Sequence, residues 1–338
     1  MNQVIELVSP SNKTLIIETL PTKTTQTTTS DSKEDHSTSL FWRIALISGC
    51  AVLGAFSREM LEILAQWMER NEHGDERLLT ALGISFILPN AFGCFAMGFV
   101  KQVTEQLSKR DTSPRYPLIL GITVGFCGCL TTFSTWIVSS ISLLLQDGAI
   151  STSIGRLLFG IQIFSSSFLA GKHLGMINIP SRVGLSMLLI VFIFIVSVPS
   201  LIAAASIWRP SIEDLYIFLW APLGALSRYS LGLLLNGPRR ICRLGLPDGL
   251  LWFPLGTFTA NILGVILLSP IFLQSSLFLE KFSSYFCGSL TTISSLVSEL
   301  HSLDLLQSYI YSISTIFSAT VLSLSILSLS ILSLAEFA

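Results

Sequence analysis

Two asparagines lie within apolar stretches, and each precedes a glycine by three residues: Asn90-Ala-Phe-Gly93 and Asn261-Ile-Leu-Gly264. An amide in a hydrocarbon setting must find hydrogen-bond partners or line a polar cavity. Bonding between helices is an ordinary use of such residues, so both readings stand. A second pair is Phe126-Cys-Gly-Cys-Leu-Thr-Thr132 and Phe286-Cys-Gly-Ser-Leu-Thr-Thr292. Gly125, Gly128 and Gly288 each lower helix propensity by about 1 kcal/mol, which predicts a break inside each run. Carbonyls freed at a break in lipid are costly unless something meets them. Two such breaks facing each other in opposite directions would form a cage of oxygens for a cation. Close packing through small residues, as Gly121-xxx-Gly125 permits, is the alternative.

Downstream of the first break stands Phe133-Ser-Thr-Trp136, and downstream of the second Ile293-Ser-Ser-Leu296. Aromatic rings have positive edges that can face an anion in a narrow, dry pore; alone, such residues in an apolar helix read as core or lipid contacts. The last apolar run carries Ser308, Ser312 and Thr315 on one helical face. Hydroxyls donate hydrogen bonds without a fixed charge, which suits a desolvated anion and equally suits helix packing. Arg58, Arg156 and Arg228 fall in or beside apolar runs, and Arg58 is placed to pair with Glu62 as a structural anchor. Cys50, Cys94, Cys127, Cys129, Cys242 and Cys287 are not spaced as metal ligands, and the four histidines are scattered. The Cys127-x-Cys129 pair reads as packing. The sequence contains no nucleotide motif and no catalytic constellation, as a pump or an enzyme would need.

The elements that hold these residues follow from composition. Of 338 residues, 51% are hydrophobic and only 12% are charged, the mean hydropathy is +0.69 and the net charge is −1. Soluble chains carry about 25% charged residues, so the deficit points to a lipid bilayer; the near-zero charge argues against nucleic acid. Residues 1–40, rich in Thr and Ser, read as a disordered cytoplasmic tail with no signal-peptide pattern. Its acids and lack of arginine disfavour mitochondrial import. Apolar runs predict nine spans near 41–65, 78–100, 117–145, 153–172, 183–207, 214–235, 250–273, 276–299 and 304–335. The third and eighth are expected to break within the membrane.

Lys101, Lys109, Arg110, Arg115, Lys172, Arg182, Arg239, Arg240 and Arg243 fall in loops on the N-terminal side, against Arg70, Arg77, Arg209 and Lys281 on the other. The positive-inside rule places the N-terminus in the cytoplasm and the C-terminus outside. Self-comparison adds a third matched pair, Gly54-Ala-Phe-Ser-Arg58 and Gly224-Ala-Leu-Ser-Arg228. All three pairs occur in the same order on equivalent spans. The expected fold is therefore an all-α membrane protein. It comprises a four-span repeat at 41–175, a linker helix at 176–210 and an inverted four-span repeat at 211–338. Inverted repeats of this kind serve transport proteins.

With these motifs on the page, the chain resembles the fluoride-exporter family, the CrcB/Fluc/FEX membrane proteins, over residues 41–335. The resemblance rests on Gly-Ala-x-x-Arg in the first span, Asn-x-x-Gly in the second and Gly-Phe-Cys-Gly-x-x-Thr-Thr-Phe-Ser-Thr in the third. It implies a passive, fluoride-selective channel that exports fluoride across the plasma membrane and gives fluoride resistance. The fused tandem is similar to the eukaryotic type, which implies a single-chain working unit. By motif, Gly128, Thr131, Gly288 and Thr291 would offer backbone carbonyls to a structural sodium ion. Asn90, Asn261, Phe133, Trp136, Thr132, Thr292, Ser308 and Ser312 would line the fluoride pathway. Ile293 and Leu296 stand where aromatics would be in the second copy, so the two pathways are not expected to be equivalent. A secondary transporter of another small anion, built on the same inverted repeat, is the alternative.

Overall fold

The computed structural model describes residues 31–71, 78–108, 116–147, 149–176, 215–236, 250–274 and 276–336. The chain divides into two units, residues 1–38 and 39–338, and the architecture below is that of the second, which α1 enters at residue 39. It is an all-α, multi-pass membrane fold with bent helices. Its elements are α1 (Asp31–Arg70), α2 (Leu78–Leu82), α3 (Ile84–Ser108), α4 (Tyr116–Leu120), α5 (Gly128–Leu130), α6 (Phe133–Asp147) and α7 (Ile150–Gly175). The second repeat supplies α8 (Ile217–Leu235), α9 (Leu255–Ile271), α10 (Leu277–Phe282), α11 (Gly288–Leu290), α12 (Ile293–Leu300) and α13 (Leu305–Glu336). Widened π-helical turns at Gly121–Cys127 and Ser283–Cys287 join α4 to α5 and α10 to α11.

Six helices among the described residues are long and apolar enough to cross a membrane, and Leu255–Ile271 is a shorter apolar helix. The third and eighth expected spans are indeed broken, each at a Thr-Thr pair. The fifth span, nearly all of the linker at 176–210 and tail residues 1–30 lie outside the described residues. Helix α1 begins at Asp31, inside the stretch assigned from sequence to the tail. The second span is divided at Gly83, whose φ of 72° ends α2. Arg156 donates to the carbonyls of Thr80 and Ala81 at 2.6 and 2.9 Å there, capping the end of α2.

Polarity is turned inside out relative to a water-soluble protein. Leu158, Phe159, Phe218, Ile313, Phe317 and Leu332 face outward, while Arg58, Asn90, Thr131, Asn261 and Thr291 are buried. With lipid as solvent, contact between helices depends on close packing rather than on apolar burial. Ala51 and Ala55 of α1 accordingly cluster with Ala221 and Ala225 of α8. A Cβ at Gly54 or Gly224 would collide with the carbonyl of Phe126 or Phe286, so both glycines admit the third span of their own repeat. Gly121 and Gly125 likewise admit the α1 backbone at Leu46 and Ile47.

Beyond each break the chain crosses to the other repeat. Helix α6 packs on α9 and α13, and α12 packs on α3 and α7. The two repeats are interleaved at the point where both broken helices meet.

Candidate functional site

At each break two residues leave helical geometry. Thr131 has φ −101°, ψ 147°, and Thr291 has φ −91°, ψ 157°. The asparagines hold these extended segments. Asn90 Oδ1 accepts the Thr132 N–H at 2.8 Å, and Asn90 Nδ2 donates to the Thr132 carbonyl at 3.2 Å. Asn261 does the same to Thr292, at 2.8 and 3.1 Å. Three residues on, a Cβ at Gly93 or Gly264 would overlap the methyl group of Thr131 or Thr291. The Asn-x-x-Gly spacing puts amide and gap on one helical face, so each motif grips two consecutive threonines.

The clamp redirects hydrogen bonds. In a continuous helix the Thr132 N–H would meet the Gly128 carbonyl, but Asn90 takes it. The Thr135 N–H would meet the Thr131 carbonyl, but Thr132 Oγ1 takes it at 3.4 Å. Asn261 and Thr292 divert the donors of Gly288 and Thr291 in the same way. Gly128, Thr131, Gly288 and Thr291, the four positions assigned from sequence to carbonyl ligands, thus lose their helical donors. These hard oxygen atoms fit an alkali cation. Among the described residues, no group of three His, Cys, Asp or Glu side chains is placed to hold a metal ion.

The breaks also lock into each other. Thr131 Oγ1 accepts the N–H groups of Ile293 and Ser294 at 3.3 and 3.2 Å, capping α12 of the opposite repeat. Thr291 Oγ1 accepts those of Phe133 and Ser134, both at 3.2 Å, capping α6. Thr131 and Thr292 hydroxyls meet at 3.1 Å, and those of Thr132 and Thr291 at 3.3 Å. The result is a fully buried hydroxyl cluster joining both repeats.

Two arginines surround it, a feature that sequence reasoning placed on the right spans but not against the breaks. Arg58 donates to the carbonyls of Cys129 at 2.7 Å and Ser284 at 2.5 Å, and its Nε lies 3.5 Å from Glu62. Arg228 donates to the carbonyls of Gly128 at 3.1 Å and Val124 at 2.7 Å. Each guanidinium lies over the break glycine of the opposite repeat, Arg58 at Gly288 and Arg228 at Gly128. Their shared place in the Gly-Ala-x-Ser-Arg motif was the available signal. A further cross-tie, Glu59 to Lys281 at 3.2 Å and to the Tyr285 hydroxyl at 2.6 Å, had no signal, because its partners lie far apart in sequence.

Phe133 and Trp136 are fully buried and meet edge to face at 5.8 Å; Trp136 also meets Phe164 at 5.3 Å and donates to the Arg156 carbonyl at 3.1 Å. Ile293 and Leu296 are equally buried in the second copy. Ser308 and Ser312 stand apart from the junction: Ser308 donates to the Leu300 carbonyl at 2.6 Å and Ser312 to that of Tyr309 at 3.1 Å. The inward face of α13 carries Tyr311, Thr315, Ala319 and Ser323.

Interleaved repeats joined at two broken helices define a multi-pass membrane protein of inverted-repeat construction. The family model for CrcB-like protein, Camphor Resistance (CrcB), matches residues 45–176 and again residues 215–331, and the chain belongs to that family. A fluoride-specific ion channel of Chlorobium phaeobacteroides strain DSM 266 is 36% identical over 86 residues, which cover 25% of this chain and 54% of that protein. The counterpart from strain BS1 is 38% identical over 94 residues, 25% of this chain and 70% of that protein. A second fluoride-specific channel of Synechococcus sp. CC9902 is 28% identical over 141 residues, covering 40% and 85%. The first of these relatives is therefore matched over just above half its length. No solved structure is significantly similar to the chain.

Proposed function

We propose that this protein is a passive fluoride-selective channel in which one chain supplies both inverted repeats. The reading is carried by the reciprocal junction of the two broken helices, where Thr131 and Thr291 each cap the helix of the other repeat. Membership of the CrcB-like family and relatives named as fluoride-specific channels support it. Nine spans with a cytoplasmic N-terminus would place the repeats in opposite orientation in the plasma membrane. Fluoride then leaves down the membrane potential, which contributes about 2.3 kcal/mol per charge per 100 mV. The work is conduction, not catalysis.

In this reading the carbonyls of Gly128, Thr131, Gly288 and Thr291 hold a structural sodium ion, which supplies positive charge at the midplane. Arg58 and Arg228 fix the surrounding backbone and add charge of the same sign. The aromatic pair Phe133 and Trp136, unmatched in the second copy, makes the two pathways unequal. Purified protein in liposomes should release fluoride at least about tenfold faster than chloride and without a proton gradient. Saturable, proton-coupled exchange of another anion would refute the channel reading.

A further inference from the structure

A cavity of about 480 Å³ lies between α3 and the π-helical turn of the first repeat and α12 of the second. Lys101, Glu105, Ser298 and Glu299 line it, together with Thr104, Thr123 and Ser295. Its donors are not equivalent. The hydroxyls of Thr104 and Thr123 are spent on the carbonyls of Val100 and Ile119, both at 2.7 Å. Ser298 is only 3% exposed, yet its Oγ has no hydrogen-bond partner. A buried hydroxyl left unpaired beside a cavity keeps its donor free for a ligand or a water molecule. Lys101 and Glu105 are exposed at the same cavity, and neither carboxylate lies within ion-pair distance of the Lys101 ammonium among the described residues. Both oxygens of Glu299 are already engaged, by Thr257 at 2.6 Å and Tyr311 at 2.8 Å. The groups left free toward this space are therefore the Lys101 ammonium, the Glu105 carboxylate and the hydroxyl donors of Ser295 and Ser298. Lys172, whose main chain packs against Gly98 one turn before Lys101, adds positive potential nearby.

The inverted copy cannot form the same site. In the register set by Asn90 and Asn261, Phe272 stands at the place of Lys101. In the register set by Thr132 and Thr292, Val138 and Ser139 replace Ser298 and Glu299. The cavity thus breaks the symmetry of the repeats. From its wall, Ser295 Oγ lies 3.5 Å from Thr292 Oγ1, which joins the central hydroxyl cluster 3.1 Å from Thr131 Oγ1. A row of hydroxyls leads from the charged cavity to the midplane.

We infer that this cavity is a one-sided loading site for a small anion, bound between the Lys101 ammonium and the Ser298 hydroxyl before it enters the hydroxyl row. This rests on the channel reading above, with fluoride as the anion. Lys101 raises the local anion concentration, an effect that salt screens, whereas Ser298 replaces water around an anion already inside.

The test is fluoride efflux from liposomes holding the full-length protein, at low fluoride, in dilute and in about molar inert salt. Lys101→Gln should slow efflux several-fold, up to about tenfold, in dilute salt and match the wild type in concentrated salt, where the screening length falls to about 3 Å. Lys101→Arg should restore the rate, and Ser298→Ala should slow efflux in both salts. Efflux in Lys101→Gln equal to or faster than wild type in dilute salt overturns the loading site, the faster result pointing to a cation site on the two carboxylates. A loss independent of salt that Arg fails to repair overturns it as well. A wild-type protein that releases no fluoride defeats the channel reading itself.

Discussion

Asn90 holds the main chain of Thr132 from both sides, accepting its N–H at 2.8 Å and donating to its carbonyl at 3.2 Å. Asn261 holds Thr292 with nearly the same geometry. Truncating either amide orphans one buried donor and one acceptor, at about 1–3 kcal/mol each. Asn90→Ala and Asn261→Ala should therefore lower the unfolding temperature in detergent by similar amounts. Their fluoride fluxes should differ, one severely reduced and one mildly, because Phe133 and Trp136 have only Ile293 and Leu296 as counterparts. Equal partial losses of flux would mean two equivalent pathways.

The Thr131 hydroxyl caps a helix of the other repeat, so its loss should be felt across the repeat boundary. Thr131→Val keeps the shape and removes the acceptor of the Ile293 and Ser294 N–H groups, costing about 0.5–2 kcal/mol for the cap alone. Thr131→Ser keeps the hydroxyl and gives up only the methyl that fills the space beside Gly93. Thermal unfolding should rank wild type above Ser and Ser above Val. Proteolysis should detect α12 loosening in the Val variant; loosening confined to the first repeat would contradict the exchange of caps.

The repeat, the two breaks and the positions of their glycines and threonines were legible in the sequence, because each is marked by a short motif that occurs twice. What the motifs do to one another was not. Nothing in the spacing of Arg228 states that its guanidinium ends over Gly128, a hundred residues earlier, since a long side chain reaches many backbones. The asparagines were legible as buried amides, but not their partners, the main chains of Thr132 and Thr292 in the extended breaks. The sequence also misjudged why Gly128 must be small. Gly128 reads as a residue that weakens the helix at the break, yet it is itself helical, with φ −69° and ψ −31°. The space that a Cβ would need is filled by the Arg228 guanidinium.

That distinction is testable. If backbone conformation were the constraint, Gly128→Ala would be harmless and Gly128→Val damaging. With the guanidinium in the way, Ala should already be severe, displacing Arg228 from the carbonyls of Gly128 and Val124. Expression and monodispersity of the purified variants measure this. Shortening the opposing side chain in a Gly128→Ala, Arg228→Lys double variant should recover part of the loss, whereas strictly additive effects would argue against the clash.

The proposed orientation rests on loop charge and the nine-span reading. A tag at the N-terminus should be shielded in intact cells, and one after Ala338 should be accessible to antibody. Two tags on the same side would require an even number of spans and would remove the inverted relation between repeats.

The sodium ion proposed for the junction can be tested by exchange. Asn90, Thr132, Asn261 and Thr292 divert the helical donors of Gly128, Thr131, Gly288 and Thr291. Bulk water cannot hydrate carbonyls at the middle of a bilayer. Arg228 meets one of them, at Gly128, and a desolvated alkali ion would meet the rest while holding the repeats together. Because the ligands are backbone atoms, the ion should be needed irrespective of the direction of its gradient, and it should carry no current. Prolonged exchange of purified protein from sodium into a large organic cation should lower its unfolding temperature and slow fluoride efflux, and returning sodium should restore both. Fluoride efflux and unfolding temperature that stay the same after complete exchange would rule the ion out and leave Arg58 and Arg228 as the positive charges at the junction.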